Sequence, residues 1–330
     1  MKLNSTKDFY IGKKTPKEHM LDEATLSHLL RECNSFIPER KSYAGALCSF
    51  LEKSGALPDG ASVLEIGPGL GNIALGLKDF MGIKARKYSY KALDISERIL
   101  ENMESMGFDT MLSDCLDVRT DEKFDLIIIN EVASDLPTLV DYNVISEEEH
   151  AADAKRMIEQ YGLDVPEYDF NFNYGAVRLI EILGSIVSPG GFVFLSEQGS
   201  GDGRPQKVPV IGHDEYTIDF SHLEKAARQN GFLVMRGEIN HVLGIDEEKP
   251  FIAGLLRPDI KELYNLDRND RNIRDIMSGI FTPDEFTSRL VDVGALNIYN
   301  IEKYGRFIRK EAKPIHELLK QFEFLLLRKK

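Results

Sequence analysis

The residues best placed to do chemistry begin at "EIGPGLG", Glu65 to Gly71. An acid closes a short apolar run, and Gly67, Pro68, Gly69 and Gly71 follow it. A turn this bare lets the backbone approach a ligand closely and offers it free N–H and C=O groups. The spacing separates the ligands. A dinucleotide turn, G-x-G-x-x-G, needs its third glycine at position 72, which is Asn72. No G-x-x-x-x-G-K-[ST] run occurs, which makes a P-loop a poor reading. Two further acids are spaced for a nucleoside. Asp94, in "YKALDIS", can accept hydrogen bonds from both hydroxyls of a ribose, with Ile95 beside it to pack on a base. Asp114, in "LSDCLD", can accept from an exocyclic amine, next to Cys115. Asn130, Glu131 and Asp135 follow in "IINEVASDLP". Taken singly, each has a bland reading: a loop, a helix cap, or an acid bonded to a nearby N–H.

Elements that would position these residues alternate along the chain. "SVLEI", "KYSYKALDI" (87–95), "DTMLSD" and "KFDLIIINE" (123–131) read as strands, and so do "FVFLSE" (192–197), "FLVMRGE" and "FEFLLLR" (322–328). The isoleucine run is what a parallel strand covered on both faces requires. Between the strands lie the helical patterns "GNIALGLKDF", "SERILENMESMG" with Ser96 as N-cap, "YGAVRLIEILGSIV" and "DFSHLEKAARQNG". The "PGG" after the third of these reads as a turn. The expected fold is α/β: a Rossmann-like, mostly parallel seven-stranded sheet with helices on both faces. Residues 1–55 read as a helical N-terminal segment, irregular over 1–20 and broken at Pro38, and 56–330 as one domain with insertions at about 138–173 and 245–318. Both insertions follow strands, so each is either a lid over the ligand edge or a decoration. Within the first, Tyr168, Phe170, Phe172 and Tyr174 line a pocket or form a packing cluster.

E/D-x-G-x-G-x-G after a strand is the first motif of class I S-adenosylmethionine-dependent methyltransferases, and "EIGPGLG" resembles it at every fixed position. This cofactor has no pyrophosphate, and a turn rich in N–H and C=O groups can hold its amino and carboxylate ends. The resemblance implies that Glu65, Gly67, Pro68, Gly69, Gly71, Asp94, Ile95, Asp114, Cys115 and Asn130 bind S-adenosylmethionine. Ribosomal RNA adenine dimethyltransferases share "LEIGPGLGN", but no aromatic follows Asn130 as that family requires.

The MidA-type family, which includes the mitochondrial complex I assembly methyltransferase, is similar at more positions. "NEVASDLP" resembles its N-E-F-F-D-A-L-P at Asn130, Glu131, Leu136 and Pro137. "YTIDFSHLEKAARQNGF" resembles its late segment at Asp219, Phe220, Leu223, Ala226 and Gly231, and "NHVLGI" follows as in the family. The likeness spans roughly 60–245 and the last ten residues. The family's G-D-F-x-T-A-P-E is missing, its acid after N-E falls on Ser134 with Asp135 next, and its histidine falls on Thr217 with His213 nearby. What the family implies is methylation of a protein arginine, with Glu131 and Asp135 as the catalytic carboxylates that grip a guanidinium. Glu197 is a third acid within reach of the same edge. A small-molecule methyltransferase of the same fold, and a binding protein that keeps the fold without catalysis, are the alternatives.

Composition sets the outer bounds. The 330 residues carry a net charge of −13, which argues against a nucleic-acid partner. The three cysteines, Cys33, Cys48 and Cys115, form no CxxC pair, so neither zinc nor a disulfide framework is expected. No stretch is long and apolar enough for a signal peptide or a membrane span, and the expected location is cytoplasmic.

Overall fold

The computed structural model describes residues 2–11, 25–32, 35–143, 150–201, 203–210, 212–254, 271–299 and 301–330. Strands run in chain order as β1 (Lys2–Asn4), β2 (Ala61–Ile66), β3 (Tyr88–Asp94), β4 (Asp109–Leu112), β5 (Phe124–Asn130), β6 (Thr138–Tyr142), β7 (Phe170–Phe172) and β8 (Val187–Gln198). They continue with β9 (Lys207–Val210), β10 (His213–Tyr216), β11 (Phe232–Glu238), β12 (Pro250–Ala253), β13 (Ile280–Phe281), β14 (Lys313–Pro314) and β15 (Phe322–Lys329). Seven of them form the central sheet in the order β11-β15-β8-β5-β2-β3-β4. β2, β3, β4, β5 and β8 are parallel, and β15 runs antiparallel to both its neighbours.

Alternation of side chains explains why both faces are covered. Along β5, Leu126 and Ile128 join one buried cluster, while Ile127 and Ile129 join the other. β15 divides in the same way, Phe324 and Leu326 against Leu325 and Leu327. The first face is packed by the helices Tyr43–Lys53, Asn72–Ile83 and Glu97–Ser105. The second is packed by Ala151–Tyr161, Tyr174–Ile186 and Phe220–Gln229. Gly76 lets the helices Tyr43–Lys53 and Asn72–Ile83 approach closely: a β-carbon there would stand 2.2 Å from Ala44 Cβ.

Some expectations need correction. The first twenty residues are not wholly irregular: β1 pairs antiparallel with β6, and the helix Lys7–Ile11 follows it. This pairing carries the start of the chain to the end of β5. β8 begins at Val187, not 192; "PGG" lies in an excursion where pairing with β5 jumps from Phe124–Val187 to Leu126–Phe192. Ser96 occupies the N-cap position of Glu97–Ser105 but makes no side-chain cap bond. In the first insertion, 144–149 lie outside the described residues. Of its aromatics, Phe170, Phe172 and Tyr174 pack in one buried cluster with Tyr142, while Tyr168 is 55% exposed. The second insertion carries its own small core, with Ile252, Phe281, Phe286 and Leu290, and 255–270 lie outside the described residues. Among the described residues, neither insertion contributes a lining residue to the cavity described next.

Candidate active site

The strand order reverses at β2: the chain steps outward to β3 and β4, then returns to place β5 on the other side of β2. Ligands in open α/β sheets bind at such a point, beyond the carboxyl ends of the strands. A cavity lies there. It is lined by Gly67 to Leu70 after β2, Asp94 and Ile95 after β3, Ser113 to Cys115 after β4, and Asn130 to Val132 after β5.

Each glycine in the turn has a reason. Gly67, Gly69 and Gly71 all have φ between 52° and 78°, a region L side chains avoid. A β-carbon on Gly67 would meet Val132 Cγ2 at 2.5 Å, and one on Gly71 would meet Met106 Cε at 2.8 Å. A β-carbon built on Gly69 would meet nothing within 4 Å among the described residues beyond its chain neighbours, which leaves room for a ligand. Gly71 also opens the helix Asn72–Ile83 as its N-cap residue. Gly67→Ala should therefore lower stability by about 2–3 kcal/mol, from the left-handed backbone plus the clash. A urea midpoint unchanged from the parent protein would contradict this packing.

Glu65 sits beneath the turn, 2% exposed, and accepts a hydrogen bond from Tyr90 Oη at 2.5 Å. Burial pushes its carboxyl up to about 8, against the pull of the Tyr90 hydroxyl. Asp94 Oδ1 accepts from the Ser96 N–H at 2.8 Å, so it stiffens the turn after β3 and also lines the cavity. Asp114 accepts from Leu116 N–H at 2.9 Å and pairs with Lys7 Nζ at 2.9 Å. Cys115 is a buried free thiol pushed up to about 12 by burial, then by Asp114 and Asp94. Cys48 is likewise free and buried, and Cys33 lies outside the described residues.

Asn130 and Glu131 also line the cavity, and their hydrogen bonds run into the protein. Asn130 Oδ1 accepts from Tyr43 Oη at 2.5 Å and Ser196 Oγ at 2.8 Å, and Nδ2 donates to Glu131 at 3.0 Å. Both carboxylate oxygens of Glu131 accept the Leu26 N–H, each at 2.9 Å. Glu131 thus ties the short helix Leu26–Leu29 to the end of β5, the bland role open to it from the sequence. Burial raises its carboxyl to about 7, opposed by Leu26, Asn130 and Ser27. Its backbone sits at φ 54°, a conformation uncommon for a non-glycine residue.

Asp135 lines the cavity's other end with Leu136 and Pro137. Its Oδ1 accepts from Tyr10 Oη at 3.0 Å and stands 3.6 Å from His213 Nε2. Glu197 is elsewhere: it is buried, accepts from the Ser134 and Gln198 N–H groups, and lines no part of the cavity. Asp219 accepts from Ser221 and His222 N–H as the N-cap of Phe220–Gln229, so that shared motif position is structural. His222 is buried against Asp164 O at 2.9 Å, and His241 is exposed.

Sequence reasoning missed the cover. Ser5, Thr6, Lys7, Tyr10, Thr25, Ser27 and His28 all line the cavity. The strand Lys2–Asn4 and the helix Lys7–Ile11 carry too little periodicity to be read; the helix Leu26–Leu29 falls where helical spacing was expected, but its place at the cavity was not. His28 is 3% exposed, and burial, reinforced by Arg31, lowers its imidazole to about 4. It is therefore neutral, and Arg31 Nη1, which can only donate, lies 3.3 Å from its Nε2.

Comparisons with known proteins agree with the fold. Neither a protein-family model nor a curated protein matches the sequence. Two solved structures from Burkholderia thailandensis do match in shape. One is described as a likely methyl transferase bound to S-adenosyl-homocysteine. It is 15% identical with a TM-score of 0.51, over 97% of this chain and 82% of that one. The other, an uncharacterized protein of the same superfamily, is 15% identical with a TM-score of 0.50, over 92% and 80%. The chain has the Rossmann-like α/β fold expected from its sequence.

Proposed function

We propose that this chain is an S-adenosylmethionine-dependent methyltransferase whose acceptor is a protein side-chain nitrogen, an arginine guanidinium. One observation carries the cofactor reading: the glycine turn, Asp94, Asp114 and Asn130 all face one cavity at the switch point of the sheet. The residues fit that group. The turn leaves space at Gly69, the acid after β3 suits a ribose diol, and apolar Ile95 and Cys115 flank the place for an adenine. When bound, the cofactor supplies an electrophilic methyl group on a sulfonium. The chain's own part is to hold and orient. Asp94, Asp114 and Asp135 give the cavity an acidic lining, which favours a cationic ligand and a cationic acceptor. Asp135 lines the cavity and accepts from Tyr10, and in this reading its carboxylate grips the guanidinium. For Glu131 to share that grip, its bond to Leu26 must open, so its catalytic role requires the Leu26–Leu29 helix to move.

A small-molecule acceptor is the second reading, favoured by the cover itself. Residues 5–10 and 25–28 close over the cavity, and the Lys7–Asp114 pair spans from the cover to β4. Incubating the protein and a cell extract with methyl-labelled cofactor separates the readings. Label in protein, lost in Glu131→Gln and Asp135→Asn, supports the first. Label in the small-molecule fraction alone replaces it with the second, and no label in any fraction contradicts both.

A further inference from the structure

Asp135 also belongs to a second cluster. β10 brings His213 and Glu215 to the turn after β5, where His213 Nε2 stands 2.9 Å from Glu215 Oε1 and 3.6 Å from Asp135 Oδ1. One ligating atom from each of the three residues falls within 4.8 Å of the others. We propose that Asp135, His213 and Glu215 form a binding site for one divalent transition-metal ion at the edge of the cavity.

The arrangement fits the chemistry of such a site. Bonds of about 2.0–2.2 Å from a metal to nitrogen and oxygen put neighbouring ligand atoms roughly 3 Å apart, close to the 2.9 and 3.6 Å from His213 Nε2 to the two carboxylates. The imidazole is 5% exposed, and among the described residues its polar contacts fall on the nitrogen that faces the two carboxylates. Its Nδ1 is buried with no partner among the described residues. The carboxylates are 17% and 20% exposed, open enough for an ion to enter. Each is also steadied from outside the cluster, Asp135 by Tyr10 Oη at 3.0 Å and Glu215 by Ser134 Oγ at 3.3 Å. Phe9 closes one side, its ring centroid 4.1 Å from that of His213. One imidazole with two carboxylates suits Mn2+ or Zn2+ better than Mg2+ or Ca2+, which prefer oxygen alone. Three protein ligands leave positions for water or for an oxygen of a second molecule.

The site goes beyond the methyl-transfer reading and stands without it. Its consequence for that reading is sharp. Asp135 is shared with the guanidinium grip proposed above, so a bound ion and an arginine acceptor exclude each other there. Metal binding would therefore favour the small-molecule acceptor.

The test is titration of the chelator-stripped full chain with Mn2+, read by the loss of the free-ion paramagnetic signal, with Zn2+ as competitor. The expected result is one Mn2+ per chain with Kd below about 100 µM, displaced by Zn2+. His213→Gln and Glu215→Gln should each weaken it at least about 30-fold while the thermal midpoint stays within a few degrees. Because Glu215 is partly exposed, its variant carries the test if the buried His213 variant misfolds. No stoichiometric binding below about 1 mM, or binding unchanged in a folded variant, overturns the site.

Discussion

Asp94→Ala should weaken S-adenosylhomocysteine binding by about 30- to 100-fold, read by titration calorimetry. The size follows from the bonds at stake. A carboxylate accepting from both ribose hydroxyls makes two charge-assisted hydrogen bonds, and their loss costs about 2–3 kcal/mol. The same change removes the acceptor for Ser96 N–H, at a cost to stability of about 1 kcal/mol. Asp94→Asn separates the two effects: an amide oxygen can still accept from Ser96, while the charge is gone. Its affinity should fall between those of the parent and the alanine variant, with stability restored. Affinity of the alanine variant within twofold of the parent would mean that Asp94 is only a turn residue.

A second large effect lies beneath the turn. Burial raises the Glu65 carboxyl from its usual range to about 8. Between pH 6 and 8 the folded protein therefore keeps a proton that the unfolded chain has released. Stability must fall as pH rises through that window, by about 1.4 kcal/mol per unit from this residue. Glu65→Gln removes the titration. Relative to the parent, the variant should gain about 2–3 kcal/mol between pH 6 and 8, measured by urea unfolding at each pH. Glu131, raised to about 7, adds to the decline in both proteins and cancels in the comparison. Parallel profiles for parent and variant would show that Glu65 is ionised in the fold, its charge borne by the Tyr90 hydroxyl alone.

The central sheet was legible because its strands announce themselves physically. A run such as "LIII" can be satisfied only where both faces are covered, and alternate residues of β5 do divide between the two buried clusters. The glycine turn was legible because three positive φ values in five residues leave little choice of amino acid. The two aspartates followed from their place at strand ends. What sequence reasoning could not supply was the use of each polar group. Glu131 and Glu197 look alike in a one-dimensional reading. In the fold, one faces the cavity while bound to Leu26 and the other is sealed under Ser134. The cover was illegible for a different reason. Lys2–Asn4 is a strand because Thr138–Val140 offers it an edge, and no local pattern encodes that partner. His213 was similarly hidden: its sequence neighbours say nothing of Asp135, which only the fold brings within 3.6 Å.

The claim beneath all of this is that the cavity at the switch point is built for an adenosyl sulfonium. Titrating the full chain with S-adenosylhomocysteine, with NAD as competitor, tests it most directly. Saturable binding of one molecule per chain, with Kd below about 100 µM and no displacement by millimolar NAD, is the predicted result. Heats indistinguishable from dilution up to about 1 mM ligand, or full displacement by NAD, would contradict it.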